Sequence, residues 1–256
     1  MPASLLSRHS LETLAAFVSG NVLLAFDFDG VLAPIVQVRE RAHLRARTRA
    51  LLIRVAESCP TIVVSGRQLS DLAPRLEGVP LQMVFGNFGY EPPPVDHPPP
   101  RVVAGWVADL ERRFSGEEGV VVEDKRFSVA VHYRHSPHPI HAHRIIEREL
   151  ATIRGARVLQ GAMAVMLVPT GGPTKGSTLQ AARRRLGCDR AVYVGDDGTD
   201  EDAFESAGPE RLLSVKVGPG LTQARFRLDN QAQIDRLLVR ILASRRPAIT
   251  RLRSRL

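Results

Sequence analysis

Cysteine, lysine and aromatic side chains are scarce in this chain of 256 residues. Two cysteines, Cys59 and Cys188, are too few for a disulfide framework and lack metal-ligand spacing, which fits a reducing compartment. No stretch approaches the roughly 18 uncharged apolar residues that a membrane-spanning helix needs. Arg8, His9 and Glu12 interrupt the weak apolar run near the start, so no signal pattern is legible. We therefore expect a cytoplasmic protein with no membrane partner. Aromatics make up only 5% of the chain, but 44% apolar residues suffice for a sizeable core and exclude disorder.

Lysine occurs only at Lys125, Lys175 and Lys216, against 32 arginines. An ammonium is a compact point charge and a guanidinium a wide planar fork, so a retained lysine hints at a site that needs the former. The net charge of +8 invites a nucleic-acid reading. However, Arg240, Arg245, Arg246, Arg251, Arg253 and Arg255 lie in an acid-free tail, and without them the charge is +2. The tail reads as a solvated terminus; a nucleic-acid partner is not expected, and a monomer is.

Two breaks divide the chain. Residues 91–101 carry six prolines and 169–174 read PTGGPT, neither compatible with regular structure. Between them the pattern predicts helix 102–114, strands 119–124 and 127–134, helix 139–151, and strands 157–160 and 163–168, a small α+β unit inserted over 101–169. The flanks, 1–100 and 170–256, alternate short apolar runs (Val22 to Phe26, Thr61 to Val64, Leu81 to Phe85, Ala191 to Val194) with helical patterns at 43–57, 69–77, 175–186 and 200–207. That alternation predicts an α/β core, a doubly wound, Rossmann-like parallel sheet. Such sheets bind ligands at the carboxyl ends of their strands.

Polar or glycine-rich loops follow each apolar run. Asp27 and Asp29 follow the first, and Asp196, Asp197 and Asp200 follow the last. Five carboxylates converging on one sheet end would repel strongly, and a hard divalent ion relieves this; a few carboxylates sharing the ion with a phosphate suit Mg²⁺. A calcium EF-hand fails by count: its sixth and twelfth places hold Leu32 and Val38, or Glu201 and Ala207. A turn pair or helix cap is the plainer reading of Asp27 and Asp29 alone. The neighbouring loops weigh against it. Ser65 with adjacent backbone N–H groups can hold phosphoryl oxygens, and Lys175 at a helix start can neutralise charge in phosphoryl transfer.

In this order, DxDG, SGR, a lone Lys before a helix and GDDGTDED, the chain resembles the haloacid dehalogenase superfamily. The DFDGVLAPI wording, GNFGYE, VEDKRFSVAVHYR and GDDGTDEDAFE are similar to trehalose-6-phosphate phosphatases. The resemblance implies that Asp27 is the nucleophile and forms an aspartyl phosphate, while Asp29 protonates the leaving sugar oxygen and then activates water. It implies Mg²⁺ on Asp27, the Asp29 backbone carbonyl and Asp196, with Asp197 and Asp200 in support. Ser65 and Lys175 would orient the phosphoryl group, with Gly66, Arg67 and Asn87 also at the substrate. The insert would be a cap in which Glu123, Lys125, His132 and Arg134 read sugar hydroxyls. A solvated hairpin is the plainer reading of those four.

Two departures stand out against the family pattern. Phe88 replaces a histidine in the GNFG loop, and Ala162 and Met166 stand where the last cap hairpin usually offers Lys and Glu to the sugar. Fewer partners for hydroxyls mean weaker discrimination of a disaccharide. The expected function is therefore hydrolysis of trehalose 6-phosphate, with another sugar phosphate as the first alternative and a non-catalytic sensor or interaction protein as the second. Five histidines between His132 and His143 stand near no cysteine, so zinc is not expected and surface positions are.

Overall fold

The computed structural model describes residues 2–245 apart from 37, 93–99 and 162. The centre of the proline run, Ala162 and the arginines beyond Arg245 lie outside the described residues. In chain order the first part of the core comprises β1 (Ala3–Ser4), α1 (Arg8–Val18), β2 (Val22–Phe26), α2 (Ala46–Ser58), β3 (Thr61–Val64), α3 (Leu69–Arg75) and β4 (Met83–Phe85). The insert follows: α4 (Arg101–Phe114), β5 (Val121–Asp124), β6 (Val129–His132), α5 (Pro139–Leu150), β7 (Ala156–Gly161) and β8 (Ala164–Pro169). The core resumes with α6 (Lys175–Arg185), β9 (Arg190–Gly195), α7 (Glu201–Phe204), β10 (Leu212–Val217), β11 (Phe226–Leu228) and α8 (Ile234–Arg245).

The core sheet runs β1-β11-β10-β9-β2-β3-β4, with every pairing parallel. Every residue of β2 and β3 is buried, because helices cover both faces. Alternation along β2 divides its side chains. Leu24 and Phe26 join Leu14, Leu52 and Leu238 of α1, α2 and α8, whereas Leu23 and Ala25 join Leu179 and Phe204 of α6 and α7. Each such buried leucine contributes about 1.5–3 kcal/mol. The chain proceeds from β2 to β3 and β4 on one side, then returns through the insert to β9 on the other. The carboxyl ends of β2 and β9 therefore flank a topological switch point, where such sheets form their ligand crevice.

The insert is an antiparallel sheet, β5-β6-β8-β7. Val129, Val131, Val165 and Leu167 face α4 and α5, packing on Val103, Trp106, Leu110 and Ile146. Trp106 is thus a packing residue of the insert. The opposite face, which includes Ala130 and Met166, lies against Phe88 of the core.

Some elements differ from expectation, each for a local reason. The strand predicted over 127–134 is confined to Val129–His132 because Lys125–Ser128 closes a turn, with the Lys125 N–H donating to the Ser128 carbonyl at 3.0 Å and Arg126 at φ 67°. The helix predicted over 200–207 is a 3₁₀ turn, Gly198–Asp200, leading into the four residues of α7. Arg240 and Arg245, expected in a solvated tail, belong to α8. Arg245 donates to the carbonyls of Val18, Gly20 and Ser58, tying α8 to the ends of α1 and α2. No helix among the described residues is long and apolar enough to cross a membrane.

Candidate active site

Asp27 leaves β2 at the switch point with its N–H bonded to the Val194 carbonyl of β9, which places its buried carboxylate between the two strands. Gly30 then turns the chain at φ 71°, and a Cβ there would lie 1.9 Å from the Asp196 carboxylate. Only glycine lets this loop press against the loop after β9.

Lys175 is the first residue of α6. A capping box between Thr174 and Ser177 fixes that helix start. Its buried ammonium donates to Asp27 Oδ2 at 2.7 Å and to Asp200 Oδ1 at 2.8 Å. Asp200 is fully buried. It also accepts from the Tyr193 hydroxyl at 2.7 Å and from the N–H groups of Asp196 and Asp197 at 2.9 and 3.1 Å. Asp197 in turn accepts the Thr199 N–H and hydroxyl. Carboxylate oxygens of Asp27, Asp196 and Asp200 all lie within 4.8 Å of one another.

So much negative charge in so little space raises the pKa of its carboxyls. Burial pushes Asp27 up to about 8, opposed by Lys175 and helped by Asp200 and Asp197. Burial, then repulsion by Asp27 and Asp197, pushes Asp196 up to about 9. Burial works against the Lys175 charge, but Asp200 and Asp27 outweigh it and hold the ammonium well above its ordinary range.

Asp29 stands half-exposed opposite the loop after β3. Arg67 grips it with a two-pronged ion pair, Nε to Oδ2 at 2.7 Å and Nη2 to Oδ1 at 2.8 Å. The same guanidinium donates to Asp71 at 2.6 Å and lies over the Phe28 ring. Asp71 is held by Arg75, which also bonds the carbonyls of Glu40 and Ala42. Burial raises the Asp71 pKa, but the hydrogen bonds and charges of Arg75 and Arg67 outweigh it and hold the carboxyl low.

The insert closes over these groups. A cavity of about 590 Å³ is lined by Asp27, Asp29, Ser65, Lys175 and Asp196 from below and by Glu123, Lys125, His132 and Arg134 from above. Lys125 Nζ donates to the Gly66 carbonyl at 2.8 Å, His132 Nε2 lies 2.7 Å from Glu123 Oε2, and Arg134 donates to the Val36 carbonyl at 2.9 Å.

The trehalose-phosphatase family profile matches residues 25–232. The chain belongs to the trehalose-phosphatase family. It is 37% identical over 235 residues to the trehalose-phosphate phosphatase of Mycobacterium avium and 34% identical over 233 residues to that of Mycobacterium ulcerans, covering 81 and 82% of this chain. It spans only 59 and 58% of the length of those relatives. A solved trehalose-6-phosphate phosphatase related protein is 26% identical, with a TM-score of 0.67 over 86% of this chain and 97% of that one. The C-terminal domain of the Candida albicans trehalose-6-phosphate phosphatase shares the fold, with a TM-score of 0.77 at 20% identity over 94% of this chain and 98% of that one.

A trehalose-phosphatase-family core thus brings Asp27, Asp29, Ser65, Lys175, Asp196 and Asp197 to one cavity, and Asp200 beside them. One expected substrate contact, Asn87, is placed differently. Asn87 is fully buried and does not line the cavity. Its amide donates to Glu91 and the Lys125 carbonyl and accepts from Ser128, so it joins the core to the insert. Arg67 lines the cavity, and its fork also holds the carboxylates of Asp29 and Asp71. Lys216, unassigned from sequence, donates to the Asp196 carbonyl, so all three lysines are buried and sit at or beside the site. Their scarcity was the available signal. Tyr193, Glu91 and Ser128 gave none.

Proposed function

We propose that this chain is a Mg²⁺-dependent phosphatase that hydrolyses trehalose 6-phosphate to trehalose and phosphate through a phosphorylated Asp27. The observation that carries this reading is the buried Asp27 carboxylate, bonded to Lys175 and facing Asp196 beneath a cavity capped by Glu123, Lys125 and His132. The names of the mycobacterial relatives support the substrate.

The donors fit a hard divalent ion, because they are carboxylate oxygens crowded enough to raise one another's pKa. Asp27, the Asp29 carbonyl and Asp196 would hold it, and Asp197 and Asp200 would support that shell. When bound, the ion supplies the positive charge that keeps these carboxyls ionised and offsets charge on the phosphoryl oxygens. Asp200 is better placed to orient Lys175 and two backbone N–H groups than to bind the ion first-hand.

A carboxylate oxygen of Asp27 forms a bond to phosphorus as the bond from phosphorus to the sugar oxygen breaks, and Asp29 gives its proton to that oxygen. Asp29 then takes a proton from water as the water oxygen attacks phosphorus, releasing phosphate and restoring Asp27. Arg67 directs Asp29 at the cavity, and one prong of their ion pair must open for Asp29 to carry the proton that it donates. Ser65 and Lys175 steady the phosphoryl oxygens, and Glu123, Lys125, His132 and Arg134 of the cap bind the sugar while it excludes water. A second reading keeps this chemistry on a different sugar phosphate, favoured by the apolar residues Phe88 and Met166 in the cavity wall. Phosphate release with Mg²⁺ across trehalose 6-phosphate, glucose 6-phosphate and glucosylglycerol phosphate separates the two. A kcat/KM preference for trehalose 6-phosphate supports the first, and a preference for another sugar phosphate replaces it.

A further inference from the structure

The cap's inner face is divided by its strand register. Glu123, Ala130 and Met166 lie side by side across β5, β6 and β8, and Val121, His132 and Ala164 form the next row. The polar pair therefore sits on the β5–β6 half. On the β8–β7 half, Gly161, Ala164 and Met166 line the cavity and present no side-chain donor or strong acceptor. Phe88 closes the same wall from below. At the mouth, Ile35 and Val38 are 60 and 45% exposed and share the cavity lining with Glu40, Arg134 and His135, while Val121, 53% exposed, lies on β5 beside the polar pair.

We propose that the cavity has a second activity, the hydrolysis of hexoside 6-phosphates whose other group is an apolar aglycone, alkyl or aryl. The inference rests on the phosphatase reading above. With the phosphate beside Asp27 and Lys175, and the phosphorylated ring against Glu123 and His132, a group beyond that ring meets the apolar half and then the rim. A second sugar there would exchange water for a wall with few groups to bond its hydroxyls, whereas an alkyl or phenyl group loses nothing polar and gains burial. A site that makes no hydrogen bond to a hydroxyl cannot reject the analogue lacking it.

The test is Mg²⁺-dependent phosphate release by the full chain from methyl, propyl, hexyl and phenyl α-glucoside 6-phosphates, glucose 6-phosphate and trehalose 6-phosphate. Asp27→Asn serves as the blank. The expected result is a kcat/KM that rises about two- to fourfold per added methylene until the chain passes the rim. The phenyl and hexyl compounds should exceed glucose 6-phosphate about tenfold or more. Met166→Glu should cut the hexyl-to-glucose 6-phosphate ratio about tenfold, and Phe88→His serves the same comparison if the first variant does not fold. A flat alkyl series, with trehalose 6-phosphate far ahead, overturns the proposal and leaves the phosphatase reading intact. Absence of Asp27-dependent release from every substrate overturns both.

Discussion

Removing divalent ions with a chelator leaves Asp27, Asp196, Asp197 and Asp200 to bear one another's charge in a buried cluster, with Lys175 as their partner. Burial, against the pull of Lys175, puts Asp27 at about 8, and burial with repulsion puts Asp196 at about 9, whereas both ionise near 3.8 in the unfolded chain. Between those limits the folded state binds more protons than the unfolded state, so metal-free stability is greatest at the acid end and falls as pH rises. One carboxyl carried through the whole window accounts for on the order of 5 kcal/mol, or roughly 10–20 °C in Tm for a chain of this size. Bound Mg²⁺ should offset part of this fall. At a free concentration about a hundredfold above its Kd it contributes about 2.7 kcal/mol, roughly 5–11 °C, near pH 8, and far less near pH 5, where the ligands are protonated. Thermal melts followed by circular dichroism, with chelator and with Mg²⁺ at both pH values, read this directly. A metal-free Tm that is flat or rises between about pH 5 and 8, or a Mg²⁺ shift equal at the two pH values, would mean that these carboxyls are not held protonated in the folded chain.

Lys175→Met leaves Asp27 and Asp200 without their cation, which should cost about 3–5 kcal/mol in denaturant melts and abolish turnover; Lys175→Arg should not restore activity, because a planar fork replaces a point charge. Arg67→Met frees Asp29, and kcat for phosphate release should fall about a hundredfold from misplacement of the acid–base group, with Arg67→Lys a poor rescue. Asn87→Ala withdraws partners from Glu91, Ser128 and the Lys125 carbonyl. Loss of about 1–3 kcal/mol, read by denaturant melts, and faster proteolytic cutting of the insert should accompany it.

The parts of this molecule that announce themselves in sequence are those where one local requirement dominates. β2, β3 and β9 are buried on both faces and therefore read as unbroken apolar runs. The carboxylates of the two aspartate loops stand immediately after such runs, so position alone suggested their convergence. β1, β11 and α8 left no comparable mark in the alternation of runs. β1 is two exposed residues, β11 is three residues long, and α8 carries the arginines that made its end resemble a tail. The partners of Asn87 and Arg67 were equally hidden. Ser128, Lys125 and Glu91, or Asp29, lie up to 41 residues away, and neither spacing nor periodicity records such pairings. Lys216 was half visible, since its residue type was conspicuous but its partner, Asp196, lies on the neighbouring strand's loop.

The central claim is that Asp27 takes up the phosphoryl group. The most direct measurement mixes the Mg²⁺-loaded protein with trehalose 6-phosphate carrying a radiolabelled phosphoryl group, quenches in acid within one turnover, and maps the label by peptide mass spectrometry. Label should appear on Asp27 in the wild type and be absent from Asp27→Asn, which should release no phosphate. Steady phosphate release from Asp27→Asn, or label on a different residue, would contradict it.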